Sequence, residues 1–155
     1  MKKINIKDPV PNFSAPTTGI ENFKLSDFKG KKVVLYFYPK DATPGCTIEG
    51  HEFTKLIPQF DKLNAAVFGI SRDSMKSHEK FKEKQCYKID LISDEDEKIC
   101  KIFGVIKEKN MYGKKVMGIV RSTFVIDEKG KLMNEWIKVK AEGHAKEVLD
   151  WLKQN

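Results

Sequence analysis

Short apolar runs alternate along the chain with longer segments whose apolar residues recur every three or four positions. Four of the runs are rich in β-branched and aromatic residues and are bounded by turn formers, which is typical of buried strands: residues 33–38, 65–71, 89–92 and 123–126. Because helical segments separate the first three runs, the pattern predicts an α/β fold, with a central mixed sheet flanked by helices in three layers.

The first predicted helix follows Gly45, and five apolar residues fall on one of its faces: Phe53, Leu56, Ile57, Phe60 and Leu63. Pro58 lies inside this segment. Because its ring removes a backbone donor and clashes with the preceding turn, we expect a kink or a break near Leu56 and Ile57.

Capping residues mark three further helices. Ser74 is an N-cap for a helix that reaches about Gln85. Residues 93–96 form the acidic first turn of a short helix that ends at Gly104. The last helix buries residues spaced i, i+3, i+4 and i+7, so we expect it to pack on the sheet: Ala145, Val148, Leu149 and Leu152.

Two hairpins complete the prediction. Residues 9–24 are irregular and contribute a short N-terminal hairpin, an extension that precedes the first central strand. The turn sequence at residues 127–130 closes a hairpin between residues 123–126 and 132–139.

Length and composition predict a single domain over residues 1–155, because a chain of 155 residues with 40% hydrophobic residues can bury one sizeable core. Residues 1–8 are basic but have no apolar segment behind them, and no run is long enough to cross a bilayer, so we expect a soluble cytoplasmic protein without membrane contact. Three cysteines are too few for a disulfide framework and suit a reducing compartment.

The formal charge of +7 does not by itself indicate nucleic-acid binding. The lysines are interleaved with acidic residues, and only two arginines, Arg72 and Arg121, could make forked phosphate contacts. Glycine-rich phosphate-binding motifs are missing, so we expect no cofactor. Nor do we expect a metal ion, because His51, His78 and His144 are interpreted as ordinary histidines on helix surfaces.

Cys46 is the strongest candidate for chemistry. It follows Pro44 and Gly45 at the start of the first helix, where unpaired N–H groups and the helix dipole favour the reactive thiolate. Thr43 occupies the place of the first cysteine in a Cys-x-x-Cys redox turn. Because a hydroxyl cannot close a disulfide, the turn favours attack by one sulfur on an electrophile.

These residues resemble the active-site signature Pro-x-x-x-Thr/Ser-x-x-Cys of the peroxiredoxins, with Pro39, Thr43 and Cys46 in its fixed positions. The surrounding sequence is similar to the bacterioferritin comigratory protein or peroxiredoxin Q subgroup. The similarity extends over nearly the whole chain and is carried by residues 37–49, 69–74, 91–96 and 121–127.

The resemblance implies a thioredoxin-like fold and a thiol peroxidase that reduces hydrogen peroxide and organic hydroperoxides in antioxidant defence. It implies that thioredoxin or another thiol donor returns the electrons. A monomer is expected for the subgroup, with a small symmetric dimer as the alternative.

The resemblance also assigns roles to individual residues. Cys46 would be the peroxidatic nucleophile that becomes sulfenic acid, and Thr43 would hold thiolate and peroxide together. Pro39 would shield the sulfur from water, and Arg121 would stabilise the thiolate and the departing oxygen. Glu49 is a supporting residue, which either orients the turn or is an ordinary first-turn glutamate.

The residue that restores the oxidised sulfur is left open. Many members of the subgroup carry a resolving cysteine five residues after the nucleophile, where this chain has His51. Cys86 is the remaining internal candidate, and Cys100 lies on an apolar helix and is interpreted as structural. Without a resolving cysteine, the sulfenic acid would react directly with an external thiol.

Two other functions compete with a peroxidase. A thioredoxin-like disulfide oxidoreductase is disfavoured by Thr43, which cannot replace a sulfur. A redox-sensing or chaperone-like binding protein would oxidise once without turnover. Consumption of NADPH with thioredoxin, its reductase and peroxide separates the three hypotheses.

Overall fold

The computed structural model describes residues 4–155, so the first three residues of the basic N-terminal segment lie outside the described part. The elements follow in this order: β1 (Ser14–Pro16), β2 (Asn22–Lys24), a 3-10 turn (Leu25–Phe28), β3 (Lys32–Phe37), α1 (Pro44–Lys62), β4 (Ala65–Ser71), α2 (Met75–Gln85), β5 (Asp90–Ser93), α3 (Lys98–Phe103), β6 (Ile106–Met111), β7 (Lys114–Ile119), β8 (Ser122–Ile126), β9 (Leu132–Ile137) and α4 (His144–Gln154).

The central sheet has five strands in the order β5-β4-β3-β8-β9. β3 pairs with β4 in parallel and with β8 antiparallel, so the sheet is mixed, as predicted. β3 is buried over nearly its whole length because it is the middle strand and both of its faces are covered.

Each face of the sheet has its own apolar core. Alternate residues of β3 point to opposite sides, so Leu35 and Phe37 join one core while Val34 and Tyr36 join the other. The N-terminal hairpin β1–β2 and α3 cover the first face; α1, α2 and α4 cover the second. The predicted three-layer arrangement and the N-terminal hairpin are confirmed.

Of the kink or break expected near Leu56 and Ile57, the break is wrong and the kink stays a prediction. α1 is one continuous helix that includes Pro58 in its second half. Phe53 and Phe60 are fully buried on either side of the proline. Their packing on the sheet offsets the lost backbone hydrogen bond, which costs about 3 kcal/mol in an isolated helix.

The other predicted boundaries are close to the observed ones. Ser74 caps α2 by accepting a hydrogen bond from the backbone N–H of Ser77, 3.2 Å away. α3 begins later than predicted, but Asp94 still caps it, because its carboxylate accepts from the N–H groups of Ile99 and Cys100. The hairpin strand β9 ends at Ile137, two residues before the predicted end.

The hairpin β6–β7 was not predicted. Its strands are largely polar and exposed, so they lack the alternation that marks a half-buried strand. The turn carries the available signal, since Tyr112 and Gly113 both have positive φ angles, of 53° and 78°. That is the backbone of a tight hairpin turn, which a glycine in the second position favours.

Candidate active site

Cys46 lies in the first turn of α1, directly beyond the carboxyl end of the middle strand β3. Residues 38–43 carry the chain from the strand to the helix, and Pro44 takes the first helical position, where its missing N–H needs no partner. The sulfur is shielded, because Cys46 is only 2% exposed. The predicted position of Cys46 at a helix N-terminus is confirmed.

Arg121 faces the sulfur from the neighbouring strand. It directly precedes β8, whose first residue, Ser122, pairs with Phe37 at the end of β3. Its Nη2 atom lies 3.4 Å from the Sγ atom of Cys46, and Nη1 donates to Oε1 of Glu49 at 2.6 Å. Strand pairing and α1 therefore bring together Cys46, Glu49 and Arg121, three of the residues predicted from the sequence.

Gly45 leaves room for the guanidinium. A Cβ atom at this position would lie 3.0 Å from Nη2 of Arg121, closer than nearly all real Cβ contacts. A larger residue before Cys46 would therefore crowd Arg121, a steric constraint that the turn pattern alone does not show.

The Arg121–Glu49 ion pair is shielded from water. Burial raises the pKa of Glu49 to about 7, against the opposing effect of the Arg121 cation. Burial alone would lower the pKa of Arg121, but Glu49 and Cys46 raise it above its ordinary value. The guanidinium therefore stays cationic, and the charge of its partner changes near neutral pH. Oε2 of Glu49 is buried and has no hydrogen-bond partner within residues 4–155.

Thr43 and Pro39 lie in the loop that leads to the helix. Thr43 is the N-cap residue of α1, and its hydroxyl donates to the carbonyl of Lys40 at 2.8 Å. The hydroxyl of Thr47 in turn donates to the carbonyl of Thr43 at 2.8 Å. Pro39 is half-buried after Tyr38. In this structure the hydroxyl of Thr43 thus makes a hydrogen bond within the active-site loop.

A buried polar network beneath this loop was missed by sequence reasoning. Asp41 accepts hydrogen bonds from the hydroxyls of Tyr38 at 2.6 Å and Ser77 at 2.7 Å. Its carboxylate also contacts Nδ1 of His78 at 2.8 Å. Nε2 of His78 lies 2.9 Å from the carbonyl oxygen of Ile92. The prediction of a surface histidine is wrong here, because His78 is completely buried.

The network joins the active-site loop to α2. One feature of the sequence could have predicted it: residues from Tyr38 to Asp41 lie between a buried strand and the cysteine turn, and polar groups there must be hydrogen-bonded if they are buried. Asp73 extends the network by accepting from the N–H of Asp41 at 2.9 Å and from the hydroxyl of Ser71 at 2.6 Å.

Three members of this network are the strongest metal-ligand candidates in the described part of the chain. Asp41, Asp73 and His78 place one potential ligand atom each within 4.8 Å of one another. Their ligand atoms are already engaged in hydrogen bonds to one another and to Tyr38 and Ser71. The arrangement fits a structural hydrogen-bond network that fixes the loop.

His144 also departs from the prediction of a surface histidine. It is 2% exposed, and its Nε2 atom lies 2.7 Å from the hydroxyl of Thr123, two residues after Arg121. Burial lowers the pKa of His144, although the nearby Glu147 carboxylate opposes this effect. The start of α4 is therefore anchored to β8.

The two other cysteines lie in contrasting surroundings. Cys86 is exposed at the C-terminal cap of α2, with a φ angle of 56°. Cys100 is fully buried in α3, and burial raises the pKa of its thiol, in agreement with a structural role. His51 is exposed on α1, as predicted, and its Nε2 atom lies 2.8 Å from Oε1 of Gln85. No disulfide joins the three cysteines, all of which lie within residues 4–155.

Known proteins with similar sequences cover nearly the whole chain. The model of the AhpC/TSA family matches residues 6–134. Peroxiredoxin Bcp of Xanthomonas campestris is 50% identical over 147 residues, which are 94% of this chain and 92% of that protein. Peroxiredoxin Bcp of Bacillus subtilis is 46% identical over 150 residues, 97% of this chain and 96% of that protein.

Solved structures give the same result. A structure of the X. campestris bacterioferritin comigratory protein, described for its alkyl peroxide reduction activity, matches with a TM-score of 0.87 and 49% identity, over 92% of this chain and 90% of that chain. A cysteine-to-serine variant of Xylella fastidiosa PrxQ matches with a TM-score of 0.93 and 47% identity, over 99% and 98%.

Proposed function

The chain belongs to the AhpC/TSA family as a peroxiredoxin of the Bcp or peroxiredoxin Q subgroup, and we propose that Cys46 is its peroxidatic nucleophile. The expected thioredoxin-like fold and thiol peroxidase function are confirmed, so the chain takes a peroxide as substrate and a thiol as reductant. One observation carries the assignment of Cys46: its sulfur lies at a helix N-terminus, 3.4 Å from Arg121.

The proposed first step is a displacement at oxygen. The Cys46 thiolate attacks one peroxide oxygen, an S–O bond forms, and the O–O bond breaks. The sulfur is oxidised to sulfenic acid, while the second oxygen leaves with the bonding pair and takes a proton to become water or an alcohol. Negative charge moves from sulfur to the leaving oxygen, so fixed donors beside the sulfur stabilise the transition state.

Ionisation of the thiol supplies only part of the rate. For a thiol with an ordinary pKa of about 8.5, full ionisation raises the thiolate fraction at neutral pH only about thirtyfold. Most of the acceleration must come from donors aimed at the breaking O–O bond, and in our proposal Arg121 is the principal one. Glu49 is a positioning residue in this proposal, since its ion pair with Nη1 directs Nη2 toward the sulfur.

The loop residues complete the proposed site. Thr43 would bind the peroxide through its hydroxyl, which lies on the N-cap residue of the helix that carries Cys46. Pro39 would limit the access of water, consistent with its half-buried position. The buried position of Asp41 beneath this loop supports a fixed arrangement of both residues.

We propose thioredoxin or a similar thiol as the reductant. It would attack the sulfenic acid of Cys46 directly, as in a one-cysteine enzyme, and a disulfide between Cys46 and Cys86 is the alternative. The exposed position of Cys86 leaves both routes open to experiment.

The proposal also covers the substrates, the domain organisation, the oligomeric state and the location of the protein. Hydrogen peroxide and organic hydroperoxides are the proposed substrates; the alkyl peroxide reduction described for the X. campestris relative supports the second class. We propose one functional domain over residues 1–155, a monomeric state and a cytoplasmic location. Three free cysteines support a reducing compartment. None of the helices within residues 4–155 is long and apolar enough to span a membrane.

A coupled assay tests the proposed function. NADPH is supplied with thioredoxin, its reductase and peroxide, and its oxidation is followed for the wild type and for Cys46→Ser, Cys86→Ser and Cys100→Ser. Continuous turnover that only Cys46→Ser abolishes supports the proposal. A single stoichiometric oxidation would instead indicate a sensor, and reduction of a protein disulfide without peroxide would indicate an oxidoreductase.

A further inference from the structure

A groove lined by four lysines runs between the active-site loop and α2. Its volume is about 590 Å³, and its lining includes Lys40, Lys76, Lys80 and Lys84 as well as Thr47 and Gln85. Thr47 is the residue after Cys46, and Gln85 is the residue before Cys86. The groove is therefore lined by chain neighbours of both candidate redox cysteines, although neither cysteine lines it.

The groove carries a net positive charge, because four lysines and two aspartates line it. Within the part of the chain that the structure describes, none of its four exposed lysines forms an ion pair. In contrast, Lys82 on another side of α2 is paired with Asp90. The carboxylates of Asp41 and Asp73 also line the groove, but they are hydrogen-bonded in the buried network.

The charges on α2 are segregated by face. Lys76, Lys80 and Lys84 recur at i, i+4 and i+8, which places them in one row, while Glu79 and Glu83 line a separate cavity beside Cys86. Lysines four residues apart repel each other and destabilise the helix that carries them. A row of like charges beside an active site thus has no structural benefit within the chain, and it fits an anionic partner.

We propose that this lysine groove docks the acidic surface of the dithiol protein that reduces the enzyme. The proposal rests on the peroxidase function proposed above and names the chemistry of its reductant. Opposite charges attract the reductant to the groove, next to the loop and the first helical turn that carry Cys46. Its thiolate then attacks the oxidised sulfur, which gives a mixed disulfide and releases water; its second thiol breaks that disulfide and restores the Cys46 thiol.

Two synthetic dithiol peptides test the proposal. Both contain Cys-Gly-Pro-Cys; one is flanked by glutamates and the other by lysines. Peroxide turnover is measured with each peptide and with dithiothreitol, and each peptide rate is divided by the dithiothreitol rate of the same variant. For the wild type at low salt, we expect kcat/KM for the acidic peptide to exceed that for the basic one about tenfold, and high salt to reduce the ratio.

Charge reversal identifies the surface responsible. In Lys76→Glu/Lys80→Glu the ratio should fall to about one or below. The matched control Lys29→Glu/Lys129→Glu has the same net charge but changes a different cavity, so its ratio should remain high. The neutral variant Lys76→Gln/Lys80→Gln gives an intermediate ratio and replaces the glutamate variant if that chain does not fold.

Three outcomes would overturn the proposal. The first is a wild type without preference, and the second is an equal loss in the groove and control variants, which would show that only net charge matters. The third is that Lys76→Glu/Lys80→Glu raises the KM for a carboxylate-bearing hydroperoxide while the peptide ratio is unchanged, because the groove would then bind substrate. Loss of wild-type turnover with dithiothreitol would instead count against the peroxidase mechanism, so the two failures are distinguishable.

Discussion

The Nη2 atom of Arg121 lies 3.4 Å from the Sγ atom of Cys46, although 75 residues separate them in sequence. The other terminal nitrogen of the same guanidinium is bound to Glu49, one turn further along the helix that carries the thiol. The cation is therefore held by the helix of the nucleophile and supplied by the adjacent strand.

Arg121→Ala should slow peroxide reduction more than it slows alkylation of Cys46. Removal of a fixed donor from a developing oxyanion costs about 10²–10³ in rate, and we expect a loss of that size in kcat/KM for peroxide. Alkylation by iodoacetamide needs the thiolate but involves no O–O bond, so its rate should fall about thirtyfold at most. Stopped-flow peroxide reduction and timed alkylation measure the two rates.

Arg72→Ala is the matched control, because Arg72 is the other arginine of the chain and its guanidinium pairs with Glu97, whereas that of Arg121 binds Glu49 and Cys46. Both of its rates should stay near the wild-type values. Equal losses of peroxide reduction and alkylation in Arg121→Ala would show that the arginine acts only by maintaining the thiolate.

Glu49→Gln should change the pH dependence of turnover. The pKa of Glu49 is about 7 because burial outweighs the Arg121 cation, so the ion pair weakens as the pH falls through 7. We expect wild-type kcat/KM to decrease below that pH, and this component to disappear in Glu49→Gln, which keeps an acceptor for Arg121 but cannot ionise. A pH profile of kcat/KM for both proteins provides the measurement; superimposable profiles would contradict the role given to Glu49.

Glu49→Gln should also change how stability depends on pH, and here the wild type is the protein that loses stability as the pH rises. A carboxyl whose folded pKa is raised stabilises the fold fully below its unfolded pKa of about 4.5, and this contribution is lost as the pH rises through 7. Relative to Glu49→Gln, the wild type should therefore lose on the order of 3 kcal/mol between pH 4 and pH 8. Urea unfolding at several pH values checks the sign; a gain for the wild type over that interval would refute it.

His78→Ala should destabilise the fold strongly. The substitution leaves the buried Asp41 carboxylate without its ring partner and opens a cavity under the active-site loop. A buried carboxylate that loses one hydrogen-bond partner costs about 1–3 kcal/mol or more, and the cavity adds to this loss. Chemical denaturation measures the change, and His51→Ala on the helix surface should remain within about 0.5 kcal/mol of the wild type. A similarly small loss of stability for His78→Ala would show that the network does not fix the loop.

The pH dependence of the Asp41 network has the reverse sign from that of Glu49. Burial alone would raise the pKa of Asp41, but hydrogen bonds from His78, Tyr38 and Ser77 hold it below its ordinary value. Its contribution to stability is present above the ordinary aspartate pKa and is lost as the pH falls through the lowered folded pKa. Acid unfolding of Asp41→Asn should lack this component, and thermal melts below pH 5 compare the two proteins.

A peptide map decides how the oxidised sulfur is restored. After one equivalent of peroxide without reductant, we expect Cys46 as sulfenic acid and Cys86 as a free thiol, because this chain has His51 at the subgroup's usual resolving position. Trapping with dimedone followed by non-reducing peptide mapping detects both species. Cys100→Ser, at a buried site, is the control and should give the same map. A Cys46–Cys86 disulfide would instead establish a two-cysteine cycle.

Local patterns were sufficient for most of the fold. Buried strands are continuous apolar runs and packed helices show a 3.6-residue period, so β3, β4 and α4 could be placed from the sequence. β6 and β7 could not, because strands exposed on both faces carry little apolar alternation. The break expected near Leu56 and Ile57 is wrong for a different reason: tertiary packing on both sides of Pro58 outweighs the local penalty of the proline.

The site was predictable where chemistry and motif coincide. The turn chemistry around Cys46 suggested a one-sulfur nucleophile, whereas Arg121 could be chosen only by resemblance, since nothing local separates it from an ordinary arginine at a strand end. His78 and His144 were misassigned because burial of a histidine depends on partners distant in sequence. Those partners, Asp41 and Thr123, meet them only after the sheet has formed.

The pairing of β8 with β3 also determines when Arg121 reaches Cys46. During synthesis, Cys46 leaves the ribosome well before Arg121, which is 75 positions further along the chain. A nascent chain therefore carries the proposed nucleophile without the cation that, in our proposal, stabilises charge on the breaking O–O bond. On this proposal, fast reaction with peroxide begins only when the middle of the sheet has assembled, so the thiol is spared rapid oxidation while the chain is still being made.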